Sequence, residues 1–191
     1  QLDLYPAPTL AASSRRTVLY APTWEGEDEM NNFTSLDRYG VALIEALLAI
    51  PDVRVIYKPH PRVVLSLMPA VSTAHSTVVA RIAAAAAADP AAGHEYRADG
   101  DILALFPRVD LLVSDISSVG LDFLYSRSDA PIVLTDRRTN RAGLLREAPI
   151  AAASHIIDAD SLPTARADIA ALLAEDRFRA ERATLRAFYF D

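Results

Sequence analysis

At 191 residues the chain is long enough for one ordinary domain with a substantial core, and two independent domains would be a squeeze. A hydrophobic share of 51% beside 23% charged residues is that of a globular protein, and no apolar run approaches the roughly 20 residues that span a bilayer. The net charge of -6 argues against a non-specific nucleic-acid binder, which draws its affinity from dense positive charge, and the lack of cysteine excludes disulfides and thiolate metal sites and fits a reducing compartment.

The chain opens at Gln1 with no methionine, basic region or apolar core, so its start is not expected to be a signal peptide; it reads as a cut point, with further protein expected upstream. Residues 1–16, with Pro6, Pro8, Ser13 and Ser14, read as an irregular lead-in to a domain covering 17–191. Thr17–Ala21 is a short strand stopped by Pro22, and Thr23 and Trp24 follow. The acidic stretch Glu25–Asn32 is expected to be a solvated loop, because its carboxylates lack the spacing and glycine of a calcium loop. Ser35 is placed to cap a helix over Leu36–Ile50, where Val41, Ile44, Leu47 and Leu48 recur at intervals of three and four. Val53–Tyr57 is a second strand, running directly into Lys58-Pro59-His60-Pro61-Arg62, which its prolines make stiff and extended.

Short and long helices are expected over Val63–Met68 and His75–Ala88, a brief strand within 93–98, and a short helix capped by Asp99 or Asp101 and ended by Pro107. Leu111–Val113 has the length and branching of a strand buried on both faces. Ser114, Asp115, Ser117 and Ser118 then form a polar turn, and apolar residues resume from Val119 at helical spacing. Pro131–Thr135 and His155–Ile157 are further strands, 140–147 is a helical turn or two, and Leu162–Ala174 and Arg177–Ala187 are amphipathic helices. The ending Phe188-Tyr189-Phe190-Asp191 is too aromatic for a frayed tail, so more chain is expected beyond it.

Strands alternating with helices, without hairpin dipeptides, indicate an α/β fold: a Rossmann-like parallel sheet with helices on both faces. Ligands of such open sheets bind beyond the carboxyl ends of the strands. The three most unusual stretches, Pro22–Trp24, Lys58–Arg62 and Ser114–Ser118, all fall at such ends.

Together they offer phosphate chemistry. Lys58, the only lysine among 19 basic residues, and Arg62 supply charge; Ser117, Ser118 and the N–H groups of a helix N-terminus supply hydrogen bonds. His60 is suited to donate to a phosphate or to move a proton, and its alternative is to stiffen the loop by bonding a carbonyl; prolines and cations around it favour the functional reading. Asp115 either caps or orients its turn, and Asp122, two helical turns on, reaches back or faces water. Trp24 either stacks on a base or supports the structure, with support favoured, while His75, His94 and His155 lack ligand spacing and are expected to be structural. No glycine-rich phosphate loop is present, which makes Walker-type ATPases and dinucleotide dehydrogenases poor candidates.

Tyr20-Ala-Pro-Thr-Trp24, Lys58-Pro-His-Pro61 and Asp110-Leu-Leu-Val-Ser-Asp-Ile-Ser-Ser-Val119, in this order and continuing through Asp122-Phe123 and Pro131-Ile-Val133, resemble the carboxyl-terminal half of the CDP-glycerol glycerophosphotransferases, the poly(glycerol phosphate) polymerases and primases of teichoic acid synthesis. The resemblance implies the donor-binding half of a GT-B fold, taking CDP-glycerol or a related CDP-alcohol without a tightly bound cofactor or metal. It implies His60 as the catalytic residue and Thr23, Lys58, His60, Arg62, Ser117 and Ser118 at the diphosphate and nucleotide, with Pro22, Asp115 and Asp122 in support. A polymer or lipid-linked acceptor would come through an amino-terminal half, in a cytoplasmic protein peripheral to the inner face of the membrane, and no nucleic-acid partner is implied. The family's tyrosine before the serine pair is Ile116 here, removing one hydroxyl. Two other readings stay open: a nucleotide-sugar-dependent GT-B glycosyltransferase, which needs the same diphosphate cradle, and a GT-B-like binding or scaffold domain without chemistry.

Overall fold

A computed structural model describes residues 10–191; of the lead-in expected over 1–16, residues 1–9, including Pro6 and Pro8, lie outside the described residues. Six strands form one sheet: β1 (Arg16–Ala21), β2 (Val53–Tyr57), β3 (Glu95–Tyr96), β4 (Leu111–Ser114), β5 (Ile132–Thr135) and β6 (His155–Ile157). All neighbours pair in parallel, in the order β3-β2-β1-β4-β5-β6. This is the doubly wound Rossmann order, whose direction of winding reverses between β1 and β4.

The helices are α1 (Val41–Leu48), α2 (Pro61–Val64), α3 (Pro69–Ala88), α4 (Ser118–Ser126), α5 (Arg141–Glu147), α6 (Ala165–Ala174) and α7 (Arg179–Phe190). Alternation along each strand builds a core on both faces of the sheet. Val18 and Tyr20 of β1 join Val55, Tyr57 and Val113 against α1, α3 and α6 through Leu43, Ile44, Leu47, Val78 and Ile169. Leu19 and Ala21 join Ile56, Leu112, Ile132 and Leu134 against α4 and α5 through Phe123, Leu124 and Leu144. That two-sided burial is why the strands read as nearly unbroken apolar runs.

Several expectations shift. The Leu36–Ile50 helix divides into a wider π turn over Leu36–Gly40 followed by α1, and Ser35 makes no capping bond. Its hydroxyl is drawn to the Tyr20 hydroxyl at 3.1 Å instead. The short helix begins earlier, at Pro61, because His60 caps it, and α3 begins at Pro69, whose fixed φ suits a first helical turn. Asp101 accepts from Leu103 N–H at 2.9 Å, but only a 3-10 turn, Phe106–Arg108, forms there, with Pro107 inside it. Among the described residues no helix is long and apolar enough to cross a membrane.

Candidate functional site

The carboxyl edge of the sheet is joined first by backbone. Ser114 Oγ donates to the Ala21 carbonyl at 2.9 Å, tying the ends of β4 and β1 at the reversal point. Beyond β2, Lys58 N–H donates to Tyr20 O and His60 N–H to Pro22 O, both at 2.9 Å. Donors at 58 and 60 thus continue the ladder toward β1, while Pro59 and Pro61 occupy the alternate positions, where a missing N–H costs no bond to β1. The alternation of prolines is what lays His60 beside Pro22–Trp24.

These segments and the start of α4 enclose a cleft of about 620 Å³, a size typical of small-ligand sites. Pro22, Thr23, Lys58, His60, Ser117 and Ser118 all line it. Lys58 is buried, and its Nζ donates to the Asp99 carbonyl at 3.0 Å; burial lowers its pKa, opposed by the Asp99 carboxylate. The Lys58 charge therefore also steadies the 99–102 loop, the cleft wall that contributes Gly100, Asp101 and Ile102.

His60 Nδ1 accepts from Arg62 N–H at 3.2 Å, so the neutral ring carries its proton on Nε2. Burial and then the Arg62 cation hold its pKa below the ordinary histidine value, which keeps the ring neutral at pH 7. It is thereby set up as an N–H donor. Trp24 stacks on it with ring centroids 6.3 Å apart and planes 29° apart, and the Arg62 guanidinium lies 3.8 Å from the Trp24 ring centroid. Trp24 packs against the core and also lines the cleft, so it does more than the support favoured from sequence.

Ser117 stands at the N-cap of α4 in extended backbone (φ −156°), yet its side chain makes no capping bond, and its Oγ is buried without a hydrogen-bond partner among the described residues. Ser118, exposed, begins the helix. A hydroxyl held without a partner beside free helical N–H groups is a ready anion site.

Asp115 is wholly buried and does not cap its own turn. Its Oδ2 accepts from Thr23 N–H at 2.7 Å, and its Oδ1 accepts from Ser35 N–H at 3.0 Å and from the Thr135 hydroxyl. Burial pushes its carboxyl up to about 6 against the pull of those donors. It thus fastens the segments after β1 and β5 beneath the cleft.

Two expected residues are not brought in. Arg62 is exposed and engaged with Trp24 outside the cleft lining, and Asp122 is exposed on α4 beside Leu103, Tyr125 and Phe190. His75 bonds the Tyr57 hydroxyl at 2.9 Å, His94 Nδ1 accepts from Val55 N–H at 3.0 Å, and His155 bonds Arg177 at 2.9 Å, all outside the cleft. The loop after Trp24 is not merely solvated: Gly26, Glu27, Asn31 and Phe33 line the cleft, and Glu25 accepts from the Ser66 hydroxyl. The glycine at 26, which the structure places at φ +76°, and the lone aromatic Phe33 in a polar stretch are the signals the sequence carries.

A family model described as CDP-Glycerol:Poly(glycerophosphate) glycerophosphotransferase matches residues 9–136, two thirds of the chain. The chain belongs to this family. No curated protein matches it. Among solved structures, the α,α-trehalose-phosphate synthase (UDP-forming) of Burkholderia xenovorans with glucose-6-phosphate aligns over 92% of this chain and 40% of its own, at 12% identity and a TM-score of 0.60. Spinosyn rhamnosyltransferase SpnG with spinosyn aglycone aligns over 93% and 42%, at 14% identity and a TM-score of 0.57. The wall teichoic acid polymerase TagF aligns over 93% and 36%, at 18% identity and a TM-score of 0.48. The first two likenesses concern the fold, a Rossmann-like half of the GT-B kind. The glycerophosphotransferase-family chain spans about two fifths of the length of the solved structures it matches.

Proposed function

We propose that residues 17–191 form the donor-binding domain of a transferase that moves glycerol phosphate, or a related polyol phosphate, from a CDP-alcohol to an acceptor hydroxyl in teichoic-acid-like cell-wall synthesis. The observation that carries this reading is the buried Ser117 Oγ at the start of α4, without a hydrogen-bond partner among the described residues, in one cleft with Lys58 and His60. The donor diphosphate lies against Ser117, Ser118 and the first N–H groups of α4, with Lys58 supplying charge and His60 Nε2–H donating to a phosphate oxygen. The acceptor oxygen attacks the distal phosphorus, the bond from that phosphorus to the bridging oxygen breaks, and CMP leaves. Positioning and charge stabilisation carry the rate, without a tightly bound metal. The acceptor, polymeric or lipid-linked, meets an amino-terminal half, and the full protein is cytoplasmic, working peripherally at the inner face of the membrane.

Calorimetry with CDP-glycerol, CMP and UDP-sugars tests the reading. Cytidine ligands bind, and Ser117→Ala with Ser118→Ala weakens them by about tenfold or more, the worth of one or two charge-assisted hydrogen bonds. Clear binding of UDP-sugars without cytidine ligands would show a sugar transferase instead, and unchanged binding in the double variant would remove the phosphate cradle.

A further inference from the structure

Asp115 carries a charge in an awkward place. Its carboxylate is wholly buried, and the Thr23 N–H, the Ser35 N–H and the Thr135 hydroxyl that bond it are neutral donors. It also lies close under the wall against which an anion would sit. Thr23, bonded to it at 2.7 Å, lines the cleft, and so do Ile116 and Ser117, the next two residues of the chain. A diphosphate seated there and an ionised Asp115 are like charges, and inside a protein such repulsion is only weakly screened.

The surroundings of Asp115 let it lose its charge and keep its ties. A protonated carboxyl still has lone pairs on both oxygens, so the two backbone N–H groups stay satisfied. The added proton needs an acceptor, and Thr135 supplies it. Its hydroxyl donates to Asp115 Oδ1 and has a second acceptor in reach, the Ser114 carbonyl at 3.5 Å. By turning to that carbonyl the hydroxyl presents a lone pair to a proton on Oδ1.

The titratable groups around Asp115 have other commitments. Tyr20 of β1 and Tyr57 of β2 are phenols pushed up by burial, with the Asp115 charge adding to the effect, so they stay neutral. Asp37 in the π turn pairs with Arg137 at 2.7 Å, and Asp136 after β5 accepts from the N–H groups of Arg138 and Asn140. Beyond β2, Lys58 donates to the Asp99 carbonyl, and His60 Nδ1 accepts from Arg62 N–H.

We propose that Asp115 and Thr135 form a proton switch beneath the cleft: entry of the donor diphosphate is coupled to uptake of a proton from solvent by Asp115, the Thr135 hydroxyl turning from Asp115 to the Ser114 carbonyl as the proton arrives. The proposal rests on the cleft holding a phosphate-bearing donor. The free carboxyl, lifted by burial to about 6, is mostly ionised at neutral pH, and the bound one titrates higher. Affinity is therefore greatest below about 6 and falls as pH rises through the free and then the bound pKa.

CDP-glycerol is the probe, because both of its phosphates are singly ionised diesters that do not titrate in the neutral range. The Asp115 side-chain carboxyl is followed by carbon NMR against pH in the free and the saturated protein, and calorimetry in buffers of different ionisation enthalpy counts the protons taken up. The carboxyl midpoint rises by about one pH unit on binding, which corresponds to a roughly tenfold fall in affinity from acid to alkaline pH. Asp115→Asn lowers the proton count by the share which that shift accounts for. The carbon signal reads Asp115 alone, so protonation of His60 does not enter it, and it is read on the unsubstituted protein whether or not the variant folds. A midpoint that binding leaves in place or lowers overturns the proposal, and the phosphate cleft then stands on the binding itself. If CDP-glycerol does not bind, both readings fall.

Discussion

Asp115 is the residue whose sequence context gave least warning of its work. It stands between two serines at a strand end, where a cap is the ordinary reading, yet its acceptors serve Thr23, Ser35 and Thr135 from distant segments. No local pattern announces partners 92 or 80 positions away. Replacing it by asparagine removes the charge but leaves an amide N–H₂ facing donors, so one or two buried donors lose their partner; Asp115→Asn is expected to cost about 1–3 kcal/mol. The pH dependence has a definite sign. Burial lifts the folded carboxyl from 3.8 to about 6. The native state therefore holds the proton more tightly than the unfolded chain, so the stability that Asp115 contributes is full below 3.8 and is lost as pH rises through about 6. The asparagine variant has no such titration. Urea unfolding of both proteins across this range should show the wild-type advantage narrowing toward neutral pH, and an advantage that widens would mean the anion is the favoured form. The place of His60 and Ser117 in the cleft, by contrast, was legible: each sits within a few residues of a strand end.

At the scale of elements, the strands were readable because burial on both faces leaves almost no polar interruption, and β1, β2, β4, β5 and β6 lie within a residue of expectation. Less legible were features set by tertiary partners. The π turn before α1 has no signature in the periodicity of Leu36–Ile50, and the 25–33 loop gave only composition, not its fold over the cleft. The last helix shows the same limit. An amphipathic helix ordinarily turns its arginines to water, but Arg182 is fully buried, donating to both carboxylate oxygens of Asp176 and, at 3.2 Å, to the Ser128 carbonyl. This pins α7 to the turn between α4 and β5. Removing one partner of a buried ion pair strands the other, so Arg182→Met should destabilise the domain by about 3–5 kcal/mol. Arg182→Met combined with Asp176→Asn should recover part of that loss, because no charge is then left unpaired. Denaturant unfolding gives the magnitudes, and hydrogen exchange shows whether α7 opens first. A loss under about 1 kcal/mol would mean the pair merely breaks even with solvation.

For the molecule as a whole, the question is whether the proposed donor-binding domain can do chemistry alone. Transfer requires donor positioning, charge stabilisation of the leaving CMP and removal of the acceptor proton. On the proposed reading Ser117, Ser118, Lys58 and His60 would serve the first two, but for the third the groups of the cleft are badly matched. His60 is neutral with Nδ1 already accepting from Arg62 N–H, which leaves a donor rather than a base. Asp115 is sealed beneath the cleft with its acceptors filled. Among the described residues that line the cleft, the carboxylates of Glu27 and Asp101, on loops, are left to accept a proton. The 191-residue chain is therefore expected to bind CDP-glycerol yet release CMP at least about a hundredfold more slowly than a longer protein carrying the amino-terminal half, the worth of general base catalysis with an oriented acceptor. Comparing CMP release by the two forms, with binding measured on the same samples, separates loss of chemistry from loss of affinity. Release by the chain alone at a comparable rate would place the base within it, and then Glu27→Gln and Asp101→Asn would identify which carboxylate takes the proton.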